Sequence, residues 1–224
     1  MLTSTETIII AAILIVFSAI SYQKKFLDFK GIIFADLIGI VASLFGGISA
    51  FTALIIFYAV AETSTRISKN NGNKHEKRSI SNIIGNSGAA IIALVLQQPI
   101  AFFGAISAAL ADTISSEIGM LSKKQPRLIT TLKKVETGTD GGVTLLGFAA
   151  AGIASLAMGT LYYFTVNESF KILLIISCAG FFGSIIDSLL GAIFETRQML
   201  TNTQVNFLAS SSGAILAFLL STFI

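Results

Sequence analysis

Residues 31–61 read GIIFADLIGIVASLFGGISAFTALIIFYAVA and contain one charged side chain, that of Asp36. A membrane-crossing helix needs roughly 20 predominantly apolar residues, so this stretch is long enough for one crossing or for two short ones. Near its centre, Gly46 and Gly47 either turn a tight helical hairpin or kink one long helix, and hydropathy does not separate the two. The stretch therefore predicts helices embedded in a bilayer.

The rest of the chain has the same character. Hydrophobic residues make up 54% of the 224 and charged residues 12%, with a mean hydropathy of +0.82, whereas roughly a quarter of a soluble domain is charged. Only helices and closed barrels satisfy the backbone in lipid, and the alternation that a barrel needs is absent. We therefore predict an all-α fold, a polytopic transmembrane helix bundle that forms a single integral membrane domain over residues 1–224. Its apolar segments lie at about 7–22, 31–45, 47–61, 82–97, 100–117, 141–163, 171–194 and 205–223.

Positive charges give an independent test of this organisation. The segments 21–30, 62–80, 118–140 and 195–204 hold fourteen of the fifteen Lys and Arg residues. Two apolar segments separate each neighbouring pair of loops if residues 31–61 form a hairpin, so all four loops share one side. The positive-inside rule makes that side cytoplasmic, with about eight helices and both termini outside. Seven helices would leave an odd number of crossings between two of these loops and place them on opposite sides of the membrane. The net charge of +3 is too small to indicate nucleic-acid binding.

Carboxylates at membrane depth are costly and are therefore candidates for function. Asp112 and Glu117 lie near the end of one segment, and Ser116 follows Asp112 by one helical turn. Asp187 and Glu195 flank the end of another segment, on a stripe of residues four apart that also contains Gly191 and adjoins Gly183 and Ser184. Two alternatives stay open: the acids pair with a buried Lys or Arg, and the small residues only pack helices. A structural role for Asp36 is as plausible as a functional one.

The loop 118–140 combines cations with glycines. Its end, Gly138-Thr139-Asp140-Gly141-Gly142, can present backbone N–H groups to a phosphate ahead of a helix N-terminus. The competing interpretation is a plain turn with Thr139 or Asp140 as the helix N-cap. Among its cations, Arg127 follows Pro126 and is suited to bidentate phosphate contacts. Upstream, a polar face recurs every four residues at Arg78, Asn82 and Asn86.

Five motifs in order resemble the DUF92 membrane family, which includes the transmembrane protein 19 group and the plant phytyl-phosphate kinases. The resemblance extends from about residue 31 onward. The motifs are Arg78-x3-Asn82-x3-Asn86-x-Gly88, Ala111-Asp112-Thr113-x2-Ser116-Glu117-Ile118-Gly119, Pro126-Arg127-Leu128-Ile129-Thr130, Gly138-Thr139-Asp140-Gly141-Gly142-Val143 and Gly183-Ser184-x2-Asp187-Ser188-x2-Gly191-Ala192.

The resemblance implies an Mg²⁺-dependent kinase of a prokaryotic membrane, archaeal or bacterial. Such an enzyme would transfer a phosphoryl group from a nucleoside triphosphate, CTP being favoured, to an isoprenoid monophosphate and yield the diphosphate. The expected catalytic residues are Asp112, Glu117, Arg127 and Asp187. The expected Mg²⁺ ligands are Asp112, Glu117, Asp140 and Asp187. The expected nucleotide and phosphate contacts are Arg78, Asn82, Asn86, Ser116, Lys124, Arg127, Gly138, Thr139, Asp140, Gly141, Gly142 and Ser184.

Three other functions fit parts of the pattern. A membrane cytidylyltransferase would consume CTP and release pyrophosphate with the same acids and glycines. An ion-coupled transporter also uses intramembrane acids, although such sites usually lie near the bilayer midplane. A scaffold role would leave the clustered carboxylates without a purpose. The grouping of polar residues at one membrane face favours the kinase.

Overall fold

The computed structural model describes residues 2–71 and 80–224. Within them lie the α-helices α1 (Ser4–Lys24), α2 (Phe29–Asn70), α3 (Ile80–Val95), α4 (Pro99–Gly119), α5 (Leu145–Thr165), α6 (Phe170–Leu190) and α7 (Asn202–Ser221). A π-helix, Gly191–Glu195, continues α6, and the strands β1 (Arg127–Leu128) and β2 (Gly142–Val143) pair antiparallel. Six of the described helices are long and apolar enough to cross a membrane, and α3 is a shorter apolar helix. The predicted all-α bundle is confirmed.

Helix α2 folds back on itself at Gly47, whose backbone has φ 66° and ψ −162°. The Arg66 guanidinium lies 4.0 Å from the centre of the Phe26 ring, and Gly39 packs against the Phe51 ring. A straight helix rising 1.5 Å per residue would separate Phe26 from Arg66 by about 60 Å. Of the two alternatives at Gly46 and Gly47, the structure therefore has the hairpin that the charge pattern favoured, with arms 29–46 and 48–70. Counting the arms separately gives the eight helical segments that the charge pattern predicted.

The charged loops lie at one end of the bundle, which we call the loop end. Thr65 at the end of α2 donates a hydrogen bond of 2.6 Å to Glu117 at the end of α4. The Thr144 hydroxyl, before α5, donates to the Gly119 carbonyl at 3.4 Å. Gly85 in the second turn of α3 packs on Thr203 in the first turn of α7. These contacts bring together the helix ends that the sequence assigned to one side.

Helix α4 is the centre of the bundle. Every residue from 101 to 111 is buried, and α4 contacts α2 as well as α3, α5, α6 and α7. Small residues permit this close packing, since a Cβ on Gly104 would lie 2.7 Å from the Gly213 carbonyl oxygen. Helices in lipid associate through such van der Waals contacts because the hydrophobic effect offers no driving force there. This continuous buried stretch of α4 ends at Ala111, just before Asp112.

The hairpin depends on the backbone freedom of Gly47. Its φ and ψ lie in a region that is essentially restricted to glycine, and no atom lies within 4 Å of an added Cβ. We expect Gly47→Ala to lower the free energy of unfolding by about 1–3 kcal/mol through backbone strain. Thermal unfolding in detergent micelles measures the effect.

The matched control is Gly152→Ala in α5, where an added Cβ also meets no neighbour within 4 Å. Because Gly152 is helical, alanine there should leave the melting temperature unchanged or raise it. Equal melting temperatures for the two variants would contradict the assignment of strain to Gly47.

Candidate functional site

A cavity of about 280 Å³ opens at the loop end between α4, α6, α7 and the glycine loop 137–144. We call it the acidic cavity because four carboxyl groups and no Lys or Arg line it within the described part of the chain. Its polar lining comprises the carboxyl groups of Asp112, Asp140, Asp187 and Glu195, the hydroxyls of Ser115, Ser116, Thr137, Thr139, Thr144 and Ser188, and the amides of Asn202 and Asn206.

The parallel packing of α4 and α6 produces the carboxyl pair at its base. Gly183 of α6 packs directly on Ala108 of α4. One turn further along both helices, the carboxyl groups of Asp112 and Asp187 lie close enough to share a hydrogen bond. A residue with a larger side chain at position 183 would push the two carboxyl groups apart. The small-residue stripe therefore packs helices and positions the acids at once.

This carboxyl pair lacks a cationic partner among the described residues. The salt bridge among the described residues joins Arg66 to Glu62 on α2, away from the cavity. The Oδ2 atom of Asp187 is buried and receives no hydrogen bond. Two adjacent carboxylates cannot both stay charged without a cation or a shared proton. The pair therefore has the properties of a site for a positive ion.

A magnesium ion fits this arrangement when a substrate supplies further ligands. No group of three His, Cys, Asp or Glu side chains in the described residues is arranged to hold a metal ion. Mg²⁺ usually keeps several waters and binds through one or two carboxylates plus substrate phosphates. The carboxyl pair and the unsatisfied Asp187 oxygen match that kind of site, and an all-protein cage is absent from residues 2–71 and 80–224.

The end of α6 is wound as a π-helix over Gly191–Glu195. The backbone N–H of Thr196 donates to the Gly191 carbonyl at 3.2 Å, which closes the wider turn. Both Gly191 and Glu195 line the cavity. Single π turns occur often at functional sites, where they redirect side chains. The four-residue spacing in the sequence predicted the shared stripe but contained no sign of the π turn.

The glycine loop is held between this π-helix and the small sheet. Gly141 has φ 72°, and a Cβ there would lie 2.6 Å from both the Ala192 nitrogen and the Ser188 carbonyl oxygen. On the other side, the Ile129 N–H donates to the Gly141 carbonyl at 2.9 Å. Glycine is thus required at position 141 by backbone conformation and by space.

The N-cap interpretation of Thr139 or Asp140 is wrong. Helix α5 begins at Leu145, and Thr144 is its N-cap, accepting a hydrogen bond of 3.0 Å from the Gly147 N–H. The helix starts four residues later than predicted because Gly142 and Val143 pair with β1. The Thr139 hydroxyl instead donates to the Glu136 carbonyl. Residues 138–142 are therefore a loop over the cavity and not the first turn of a helix.

The structure brings some of the predicted site residues together and separates others. The acidic cavity contains Asp112, Ser116, Gly138, Thr139, Asp140, Gly141, Gly142 and Asp187. Outside it lie Asn82, Asn86, Glu117, Lys124, Arg127 and Ser184. Arg78 falls outside the described residues.

The separated residues have other surroundings. Glu117 is buried and accepts a hydrogen bond from Thr65. Ser184 is buried in α6. Asn82 and Asn86 line a largely apolar cavity of about 90 Å³ between α1, α2 and α3. Lys124 and Arg127 line a neighbouring groove, and no described residue of its lining carries a carboxyl group.

Seven polar residues of the cavity were not assigned a role from sequence: Ser115, Thr137, Thr144, Ser188, Glu195, Asn202 and Asn206. Glu195 belonged to the predicted stripe but not to the predicted metal ligands. Asn202 and Asn206 lie one turn apart at the start of α7, where the Asn206 amide donates to the Asn202 side chain at 3.3 Å. Their four-residue spacing at a helix start is the same signal that singled out Asn82 and Asn86. Ser115 had no distinguishing pattern.

We expect Gly141→Ala to displace the glycine loop from its contact with the end of α6. The added methyl group would collide with the backbone of α6 and its π turn, a contact that side-chain motion cannot relieve. Gly138→Ala is the matched control, because Gly138 also has positive φ but open space around its Cβ position. Limited proteolysis within 120–144 should be clearly faster in Gly141→Ala. Equal rates in the two variants would contradict the packing argument.

Burial at the cavity rim raises the pKa of Asp140. A carboxyl group with a raised pKa in the folded state favours folding at low pH, and this contribution is lost as pH rises through the folded-state pKa. We expect Asp140→Asn, measured without divalent cations, to melt at a higher temperature than the wild type at neutral pH. The difference should shrink as the pH falls below the ordinary pKa of an aspartate, because the wild-type carboxyl group is then protonated in both the folded and the unfolded state. A difference independent of pH would contradict this reasoning.

Known proteins resemble this chain over most of its length. The profile of the family described as integral membrane protein DUF92 matches residues 12–214. An uncharacterised membrane protein of Methanocaldococcus jannaschii is 32% identical over 88% of this chain and 87% of its own. Protein PGR of Arabidopsis thaliana is 32% identical, covering 78% and 74% of the two chains. The chloroplastic Protein VTE6 of the same plant is 24% identical, covering 88% and 66%.

No solved structure matches the chain. The resemblance in the five motifs is thereby confirmed, and the chain belongs to the DUF92 family of integral membrane proteins.

Proposed function

We propose that the protein is an isoprenoid-phosphate kinase with its active site in the acidic cavity. It would transfer a phosphoryl group from a nucleoside triphosphate, CTP being favoured, to an isoprenoid monophosphate. The observation that carries the proposal is the half-buried pair of Asp112 and Asp187 beneath a glycine loop, with no basic partner among the described residues. The resemblance to plant phytyl-phosphate kinases supports the choice of reaction and of acceptor.

Asp112 and Asp187 would hold Mg²⁺, with Asp140 and Glu195 at the edge of the same site. The ion would arrive bound to the nucleotide and would neutralise phosphoryl oxygens. Glu117 is left out of this metal set because its side chain is buried against Thr65. We propose instead that Glu117 ties the ends of α2 and α4 together and so steadies the turn of α4 that carries Asp112.

Other cavity residues would orient the phosphates. The loop Gly138–Gly142 can bring backbone groups close to an anion because its glycines carry no side chains. The hydroxyls of Ser115 and Ser116 and the amides of Asn202 and Asn206 face the same space. Hydrogen bonds from such neutral donors would fix the nucleotide without repelling its magnesium ion.

The reaction itself demands little acid–base chemistry. An oxygen of the isoprenoid monophosphate would attack the γ-phosphorus, the bond to the β-phosphate oxygen would break, and the nucleoside diphosphate would leave. The acceptor is already an anion, so catalysis rests on alignment and charge neutralisation. This agrees with a described cavity lining that contains carboxylates, hydroxyls and amides but no histidine.

The position of the cavity suits a reaction between a water-soluble nucleotide and a lipid. It lies at the loop end, where most of the positive charge is located, and we propose that this end faces the cytoplasm. A coupling site for ion transport would be expected near the middle of the bilayer. The location of the carboxyl pair at the helix ends therefore favours the kinase over a transporter.

Product analysis tests the reaction. Purified protein in detergent would be incubated with geranylgeranyl monophosphate, Mg²⁺ and each of the four nucleoside triphosphates, and products identified by mass spectrometry. We expect geranylgeranyl diphosphate and a nucleoside diphosphate. A lipid linked to CMP together with pyrophosphate would instead identify a cytidylyltransferase and overturn the kinase proposal.

We expect Asp112→Asn to lower turnover by about a thousandfold or more, because it removes one carboxylate from the metal-binding pair. Glu168→Gln is the matched control, since Glu168 is an exposed carboxylate in the connection between α5 and α6, at the opposite end of the bundle. The control should keep the wild-type rate. Full activity of Asp112→Asn, with a wild-type melting profile, would remove Asp112 from the active site.

A further inference from the structure

A basic groove lies next to the acidic cavity. It has a volume of about 1080 Å³ and is lined by the cations Lys123, Lys124, Arg127 and Lys134, with no Asp or Glu among its described lining. Val143 and Thr144 line both the groove and the acidic cavity. The chain at the end of β2 is therefore a shared wall between a negatively charged site and a positively charged one.

The four groove cations form no salt bridge within the described residues. Arg127 is held in place because its Nη1 donates a hydrogen bond of 2.7 Å to the Leu132 carbonyl. Four neighbouring positive charges without carboxylate partners repel one another, and an anion bound among them would relieve this repulsion. A phosphate monoester is a suitable anion because guanidinium and ammonium groups both bind its oxygens.

The groove also has an apolar rim. Leu145 and Leu146 in the first turn of α5 are 78% and 43% exposed, and Leu132 is 64% exposed. Phe148, one turn into α5, completes the lining on the same side. Helix α5 is one of the helices long enough to cross the membrane, so its first turn lies near the membrane surface. Cations beside exposed leucines at that depth are typical of a surface that binds an anionic lipid.

The charges of the two sites suit two different phosphates. A phosphate can approach the carboxyl groups of the acidic cavity only when a divalent cation accompanies it, as is usual for a nucleoside triphosphate. The basic groove can bind a phosphate directly, without a metal ion. A ligand in the groove would lie on one side of the Val143–Thr144 wall and a nucleotide on the other, so the two would be neighbours.

We infer that the basic groove binds the phosphate of the isoprenoid acceptor, while its hydrocarbon chain leaves over Leu145 and Leu146 into the bilayer. The inference rests on the proposed kinase function for its choice of lipid. It assigns Lys123 and Lys134, together with Lys124 and Arg127, to the acceptor and leaves the nucleotide to the acidic cavity. The step served by the groove is binding, and the chemistry remains at the acidic cavity.

Binding of radiolabelled geranylgeranyl monophosphate to the purified full-length protein, with EDTA and without nucleotide, tests the inference. The wild type should bind saturably under these conditions. Removing a cation near a membrane surface weakens binding of an anionic lipid about fivefold, so Lys124→Ala combined with Lys134→Ala should weaken it roughly 25-fold. Lys171→Ala, at the opposite end of the bundle, should bind as the wild type does.

Two further probes identify what the groove recognises. Geranylgeraniol, which has the same chain without a phosphate, should compete poorly, and inorganic phosphate at the lipid's concentration should not compete. Displacement by equimolar inorganic phosphate would mean a site for free phosphate and would overturn the lipid assignment. Equal affinity of the wild type and the Lys124/Lys134 double variant would overturn the groove as the binding site.

The lipid-binding experiment and the product analysis can fail independently of each other. If no nucleoside triphosphate gives a product but the double variant loses lipid binding, the groove assignment stands and the kinase proposal fails. If the enzyme is active and the double variant keeps the wild-type KM for the lipid, the kinase proposal stands and the groove assignment fails.

Discussion

The close packing of α4 against α6 is the constraint on which the polar end of this protein depends. Gly183 and Ala108 touch, and the two helices run in the same direction because one crossing, α5, separates them. One turn beyond the contact, the same register sets Asp112 beside Asp187. Since apolar side chains gain little from burial against each other in lipid, close contact between small residues is what holds these carboxyl groups together. The acidic cavity is therefore a consequence of helix packing.

Around that pair, opposite charges at the loop end line two adjoining compartments, the acidic cavity and the basic groove. Carboxyl groups line one side of the β2 region and cations line the other. The two-residue strands β1 and β2 are too short to contribute much stability as a sheet, but they determine where the chain passes between the compartments. Val143 of β2 lines both compartments.

Two backbone irregularities meet at the glycine loop. The π turn at Gly191–Glu195 directs Glu195 to the cavity, and Gly141 meets the π turn with a positive φ. Position 141 must be glycine where it meets the π turn, because an added Cβ there would collide with Ala192. Irregular backbone persists where the surrounding packing holds it, and such places are often functional. The interlocking of these two elements makes the loop a fixed part of the cavity wall.

The sequence by itself determined the membrane helices and the common side of the charged loops, and the parity of those loops favoured a hairpin over a kink at Gly46 and Gly47. These follow from hydropathy and from the count of charges between crossings, which are properties of the chain in one dimension. It also identified Asp112 and Asp187, because carboxylates are costly at membrane depth. Asp140 and the glycine loop were identified because clustered glycines ahead of a helix can present backbone N–H groups to a phosphate. The same reasoning grouped Glu117, Lys124 and Arg127 with them, since all lie within a few residues of the cavity-lining residues along the chain.

Only the tertiary structure decided which of these neighbours in sequence are neighbours in space. Glu117 lies on the face of α4 that meets Thr65 of α2, and Lys124 and Arg127 lie across β2 from the acids. Asn202 and Asn206 join the cavity because α7 packs beside α6. Which helix faces meet depends on small residues that occur on several faces of every helix here, so no local pattern specifies the choice. Contacts between helices distant in sequence specify it, and those exist only in the folded bundle.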